Sequence, residues 1–332
     1  MKKIINMPEN VVDEMINGLA LAYPQYVERI EGFDVIKRTD KKVGKVALIS
    51  GGGSGHEPSH AGFVGEGMLD AAVCGAVFTS PTPDQVFEAI KAVQTEEGVL
   101  LIIKNYTGDV MNFEMAMEMA EAEGIKCDKV VIADDVAVMN STWTIGRRGI
   151  AGAVLLHKIV GAAAESGKSL EEVKAIAEKV IANVRTMGIA LTPCIVPEAG
   201  KPSFTLEDDE MEVGLGIHGE PGVSRMKIMP ADEIIETLLD KVLADNPLAQ
   251  GDEAVVLVNG LGGTPLMELF IANRKVNEML TSKGVKIYNT IVGEFMTSIE
   301  MAGLSVSILK LDGELKALFS AKADTPAYKA FG

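Results

Sequence analysis

The chain has 332 residues, 47% of them apolar and 23% charged, which suits a globular protein long enough for two domains and excludes a disordered or fibrous chain. Its 47 acidic against 31 basic side chains give a net charge of −16, which repels nucleic acid and anionic membrane surfaces. The three cysteines, Cys74, Cys127 and Cys194, form no C-x-x-C pair and the four histidines, His56, His60, His157 and His218, show no metal-ligand spacing, so neither a disulfide framework nor a metal site is expected.

From the N-terminus, Met1-Lys2-Lys3 looks like the start of a leader, but Pro8, Glu9, Asn10, Asp13 and Glu14 interrupt any apolar run behind it. No stretch approaches the roughly 20 apolar residues of a membrane helix. The chain is therefore expected to be cytoplasmic, and the Asn-x-Thr sequences at Asn105 and Asn140 are not read as glycosylation sites. The first half alternates strand and helix. Apolar runs at 45–50, 71–74, 99–103 and 129–133 predict strands, and 83–94 and 109–123 have helical spacing behind helix-start signals. Fully apolar strands alternating with helices predict a mostly parallel sheet with helices on both faces. Two consecutive helices follow at 147–165 and 169–187, split by Gly167.

A domain boundary is expected near residue 190, where Pro193 and Pro197 break the pattern, giving an α/β domain over 1–190 and a second domain over 191–332. In the second, 204–218 alternates like a strand, 231–244 and 265–283 read as helices, and 254–258 and 286–292 as strands. Residues 304–321 read as a hairpin around Asp312-Gly313. This rhythm predicts α+β with antiparallel strands.

Three segments are candidates for chemistry. Gly51-Gly52-Gly53-Ser54-Gly55-His56-Glu57-Pro58 follows the strand at 45–50, and at the carboxyl end of a parallel strand such a loop lies where open α/β sheets bind ligands. Glycines there let backbone N–H groups approach a ligand; a plain strand-to-helix turn is the alternative. His56 stands where the dinucleotide fingerprint needs its last glycine, so it is a better general base than part of a cofactor clasp. Next, Lys104-Asn105-Tyr106-Thr107-Gly108-Asp109 ends the strand at 99–103 and is expected to open into the same crevice. Asp109 could also serve only to complement a helix dipole. Finally, along 211–218, Met211, Val213, Leu215 and Ile217 share one strand face and Glu212, Gly214, Gly216 and His218 the other, which aims His218 away from the apolar side into a cleft.

Other features are weaker. Gly167-Lys168-Ser169 lacks the earlier glycine of a P-loop, since position 162 is Ala, and joins two helices rather than a strand and a helix. Arg147-Arg148 reads as a solvated helix start, with an interface or phosphate role as the alternative. Met111, Met115 and Met119 line one helix face, for the core or a subunit interface. Asn259 to Pro265 reads as a glycine turn with a threonine cap that could line the crevice.

In this order and spacing, GGGSGHEP, FTSPTPD, LLIIKNYTGD, GIALTPC…GKPSF and GIHGEPG closely resemble the dihydroxyacetone kinase family, in its dihydroxyacetone-binding K domain or subunit. The resemblance covers essentially the whole chain. It implies two α/β domains holding dihydroxyacetone between them, and a homodimer. It further implies that His218 binds the ketone covalently as a hemiaminal, that Asp109 and His56 are acid–base residues, and that Gly53, Ser54, Gly55, His56, Lys104 and Asp109 contact substrate. The family's single-chain ATP-dependent members carry a further nucleotide-binding domain, which this sequence does not show before Gly332. The resemblance thus points to the K subunit of the phosphoenolpyruvate/phosphotransferase-system-dependent enzyme. Such a subunit holds no cofactor or metal itself. ADP/ATP and magnesium sit on a partner subunit, which a multiphosphoryl carrier protein recharges. Two readings compete. One is a dihydroxyacetone receptor that co-activates a transcription regulator, for which capture alone would suffice. The other is a nucleotide-dependent α/β enzyme using the glycine loop, which lacks the ribose-binding acidic signal.

Overall fold

Strands that are apolar on both faces need cover on both, and two six-stranded sheets in this protein are covered in that way. The structure, a computed structural model, describes residues 2–40, 42–139, 146–220 and 222–332. The second Asn-x-Thr sequence, at Asn140, and Pro221 of GIHGEPG lie outside the described residues.

Helix α1 (Val11–Ala22) leads into β1 (Val27–Arg29), β2 (Val35–Arg38), β3 (Ala47–Ser54) and β4 (Ala71–Val77). Then come α2 (Pro83–Val93), β5 (Val99–Lys104), α3 (Thr107–Ala122), β6 (Cys127–Ile132), α4 (Gly152–Glu165) and α5 (Leu170–Asn183). The first sheet has the order β1-β2-β4-β3-β5-β6, parallel from β4 through β6 and antiparallel at β1 and β2.

The chain continues through β7 (Val184–Ala190), β8 (Glu210–Val213), β9 (Ser224–Lys227), α6 (Ala231–Asp245), β10 (Glu253–Gly260), α7 (Leu266–Ser282), β11 (Lys286–Glu294), β12 (Gly303–Leu311) and α8 (Gly313–Ser320). A short pair, β13 (Ala323–Asp324) and β14 (Lys329–Ala330), ends it. The second sheet, β11-β10-β12-β7-β8-β9, is antiparallel except between β10 and β11.

Alternation along each strand sorts most of the side chains into three large cores among the described residues, beside a small cluster at Ala190, Cys194, Leu215, Leu261 and Met301. Ala47, Ile49, Leu101 and Ile103 pack under α2 and α3, whereas Leu48, Leu100 and Ile102 face α4 and α5. Val255, Leu257 and Leu309 of the second sheet join that same central core, and Val256, Val258 and Val306 pack under α6 and α7 on the far side. Helix α4 thus has a sheet on either side, and every residue from Gly152 to Ala164 is buried. β7 lies ahead of the expected boundary at residue 190 but pairs within the second sheet, and one continuous core joins the two halves.

Several expectations are corrected. The strand predicted to stop at residue 50 runs on to Ser54, because Gly51, Gly52 and Gly53 pair by their backbones with Val73, Cys74 and Gly75. The alternation predicted through 204–218 holds only over Glu210–Val213, since Gly214 turns the chain at φ +73°. The hairpin predicted at 304–321 is a strand and a helix: the Asp312 carboxylate accepts from Leu315 N at 2.9 Å and caps α8. Ser169 of the P-loop-like sequence caps α5 in a reciprocal capping box with Glu172. Of the two roles expected for the α3 methionines, core or subunit interface, the core is ruled out. Met111, Met115 and Met119 are exposed, because α3 buries the opposite stripe of Asp109, Phe113, Ala116 and Ala120.

The joint between β6 and α4 depends on Asp134, which is 1% exposed. Its carboxylate accepts from Ile150 N at 2.7 Å and Gly152 N at 2.8 Å, serving donors at the helix start. Asp134→Ala strands both buried donors and is expected to lower stability by about 3 kcal/mol, read by urea unfolding.

Candidate active site

The carboxyl ends of β3 and β5 and the turn after β8 meet around a cavity of about 570 Å³. Its lining includes Gly53, Phe78, Ser80, Tyr106, Asp109 and His218. Between Gly214 and Glu220 the chain folds back on itself, with Gly219 N donating to Gly216 O and Gly216 N to Glu220 O. This turn, not strand alternation, presents the imidazole of His218.

Three rings surround that imidazole. Tyr106 meets it edge-on at 4.5 Å between centroids, His56 at 4.7 Å and Phe78 at 5.3 Å. Phe78 also stacks on His56 at 5.1 Å and holds a left-handed backbone, φ +55°, that few non-glycine residues adopt.

The proton positions follow from the partners. Thr297 O lies 2.8 Å from His56 Nδ1 and can only accept, so Nδ1 carries the hydrogen and Nε2 keeps its lone pair. Burial first, and then the Lys104 and His218 charges, push His56 well below the usual histidine pKa, so it is neutral at pH 7. His218 Nδ1 donates to Glu220 Oε1 at 3.0 Å, while Glu220 Oε2 accepts from His218 N at 3.0 Å. Burial works against ionisation of Glu220, but His218 and Arg148 outweigh it and hold the carboxyl at about 2. In the neutral ring, the Nδ1–H given to Glu220 leaves the lone pair on Nε2.

Asp109 lines the cavity and Lys104 lies behind it. Both are buried, and a Cβ on Gly52 would lie 2.9 Å from Lys104 Nζ and 3.3 Å from Asp109 Oδ2. Burial lowers the lysine pKa, partly offset by Asp109, and raises the carboxyl's, partly offset by Lys104 and a hydrogen bond from Ser80. Lys104 Nζ, Asp109 Oδ1, His56 Nε2 and Tyr106 Oη are all buried without a hydrogen-bond partner. Buried polar atoms are rarely left unpaired, so Asp109 Oδ1 and Tyr106 Oη in the cavity lining, with His56 Nε2 and Lys104 Nζ behind it, mark the seat of a polar ligand.

His56, Lys104, Asp109, His218 and Gly53 thus come together, with His56 and Lys104 standing behind the lining residues. Ser54 and Gly55 do not. Ser54 Oγ donates to Gly75 O at 2.7 Å and borders a separate cavity of about 360 Å³ that also borders Glu57 and Cys74. Gly55 N donates to Glu57 Oε1 at 3.0 Å. Phe78, Tyr106, Ser80 and Glu220 were not singled out in the sequence, although all four lie inside its quoted motifs.

The reading of Arg147-Arg148 as a solvated helix start is overturned. α4 starts only at Gly152; Arg147 pairs with Asp245, and Arg148 is fully buried against Asp135. Among the described residues no group of three or more His, Cys, Asp or Glu side chains could hold a metal ion, and no helix is long and apolar enough to cross a membrane.

Residues 17–327 match the Dak1 domain. The chain is 59% identical over 314 residues, 95% of each chain, to the dihydroxyacetone-binding subunit DhaK of a PTS-dependent dihydroxyacetone kinase from Listeria innocua. Its structure is similar to that of the dihydroxyacetone kinase of C. freundii, with a TM-score of 0.92 at 35% identity over 99% of this chain and 60% of that longer one. It is also similar to the dihydroxyacetone kinase operon co-activator Dha-DhaQ, with a TM-score of 0.89 at 36% identity over 96% of this chain and 98% of the other.

Proposed function

The chain belongs to the Dak1 domain family, and from that membership we propose that it is the dihydroxyacetone-binding subunit of a phosphotransferase-system-dependent dihydroxyacetone kinase that holds its substrate as a hemiaminal on His218. The observation that carries this reading is the His218 imidazole, its Nδ1 committed to Glu220, on the cavity that Asp109 also lines, with the unpartnered atoms of His56 and Lys104 behind that lining.

In the proposed step the Nε2 lone pair forms a bond to the carbonyl carbon while the carbonyl π pair moves onto oxygen, which takes up a proton. Release of the Nδ1 proton leaves a neutral adduct. An imidazole adduct cannot lose water to an imine as a lysine adduct does, so capture stays reversible. Glycerol has no carbonyl and is not captured. A noncovalent pocket would separate such small polyols poorly, since a group sensed by packing alone is worth only about 1–3 kcal/mol. Tethering the carbonyl sets a terminal hydroxyl before Asp109 and His56, which take its proton as phosphorus arrives. The phosphoryl group comes from a separate ADP-bearing subunit with its magnesium, recharged by a multiphosphoryl carrier protein. The chain itself forms a homodimer in the cytoplasm.

The test is formation of dihydroxyacetone phosphate, first with ATP alone and then with the ADP-bearing subunit, its carrier and phosphoenolpyruvate. Product only in the second mixture supports the proposal; product with ATP alone overturns it. The likeness to an operon co-activator favours a second reading, a dihydroxyacetone receptor. Capture at His218 with no product beside demonstrably active partners would establish it.

Gly53 has no room for a side chain, because its Cβ would lie 2.5 Å from Thr79 N and 2.7 Å from the Phe78 backbone. Gly53→Ala is expected to displace Phe78 from His56 and weaken dihydroxyacetone binding at least about tenfold, or 1.4 kcal/mol, in calorimetry.

A further inference from the structure

Arg148 has no exposed surface, yet it carries a full positive charge into the region behind His218. Nε donates to Asp135 Oδ2 at 2.7 Å and Nη2 to Gly214 O at 2.7 Å, whereas Nη1 is buried with no hydrogen-bond partner. Gly216 shows what Nη1 faces. A Cβ there would lie 2.7 Å from Arg148 Nη1 and 2.0 Å from Glu220 Oε2, so guanidinium and carboxylate confront each other across a position free of side chain. Glu220 in turn holds both the backbone N and Nδ1 of His218. The charges run Asp135, Arg148, Glu220, His218.

We infer that Arg148 is a positioning residue for His218, acting through Glu220: its guanidinium, set against the carboxylate across Gly216, helps hold Glu220 as the acceptor of the Nδ1 hydrogen, so that the Nε2 lone pair stays available. This rests on the proposed capture of dihydroxyacetone at Nε2. Without the guanidinium, Glu220 sits buried beside Tyr106 and takes up a proton more readily. A protonated Glu220 donates to Nδ1 and drives the ring hydrogen to Nε2, which then cannot attack a carbonyl. The other charged or titratable groups around the two residues are Lys104 and Tyr106 at the end of β5, Asp109 on α3, His56 after β3, and Asp135 behind Arg148. All of them remain when Arg148 alone is replaced.

The experiment compares the unchanged chain with Arg148→Met and Arg148→Lys. Nitrogen-15 NMR of the His218 ring, without dihydroxyacetone and across pH, reads the tautomer; intact mass after trapping with dihydroxyacetone reads capture. The unchanged chain is expected to show the Nδ1–H tautomer. Arg148→Met gains the Nε2–H form, captures at least tenfold less at neutral pH, and has its acid limb moved upward by one pH unit or more. Arg148→Lys recovers part of each effect. A folded Arg148→Met chain with unchanged tautomer and acid limb overturns the inference. Should that variant not fold, Arg148→Gln, which keeps a donor for Gly214 O, carries the same two readouts. Failure of the unchanged chain to capture dihydroxyacetone would overturn the functional proposal instead, and the NMR readout still decides the role of Arg148.

Discussion

His218→Ala is expected to abolish covalent capture of dihydroxyacetone and to reduce dihydroxyacetone phosphate formation in the reconstituted mixture by about 10³-fold or more. The size follows from what tethering replaces. Well-oriented intramolecular groups reach effective molarities of about 10⁵–10⁸ M, so losing even part of that advantage removes three decades. The loss is specific to chemistry: His218 sits in a turn outside the strands, and three rings at 4.5–5.3 Å remain to line the space. Circular dichroism should therefore be unchanged. Intact mass spectrometry after borohydride-free trapping reads the adduct, and a coupled assay reads the product. An adduct of the same mass retained by the alanine variant would place the reactive nitrogen elsewhere and overturn the assignment of His218.

The sequence displays the layers more clearly than the site. VLLIIK and EAVVLVNG are apolar at consecutive positions because their strands bury both faces, and that pattern is local. The glycine strand is hidden for the opposite reason. Gly51, Gly52 and Gly53 contribute only backbone to the ladder, so nothing in their side chains announces a strand. Asp312-Gly313 carries two meanings, a tight turn and a helix cap, and only the packing of Leu315 and Phe319 into the central core selects the second.

In the site, His56, Asp109 and His218 stand out as polar residues in glycine-rich segments at the ends of apolar runs. Glu220 was legible in principle, two residues from His218 and bonded to it. Arg148 was not. Its partners lie 13 residues before it and 66 after it, so an exposed and a buried arginine look alike until the chain is folded.

Asp109→Asn separates capture from transfer. The substitution leaves Glu220 and the His218 Nδ1 bond in place, so dihydroxyacetone should still be captured, while phosphoryl transfer falls by about 10²–10⁴-fold, the usual contribution of a positioned acid–base group. The pH dependence has a defined sign. Burial raises the Asp109 carboxyl above its ordinary value, with Lys104, Ser80 and His218 opposing, whereas burial pushes His56 well below the ordinary histidine value. A base is active above its pKa. If Asp109 takes the hydroxyl proton, the acid limb of kcat follows a raised carboxyl and disappears in the asparagine variant. If His56 takes it, the limb survives in Asp109→Asn and is lost in His56→Ala. An Asp109→Asn chain that captures substrate and transfers phosphate at the unchanged rate would remove Asp109 from the chemistry. The carboxylate would then have only an electrostatic duty, that of a counter-charge to the buried, unpartnered ammonium of Lys104.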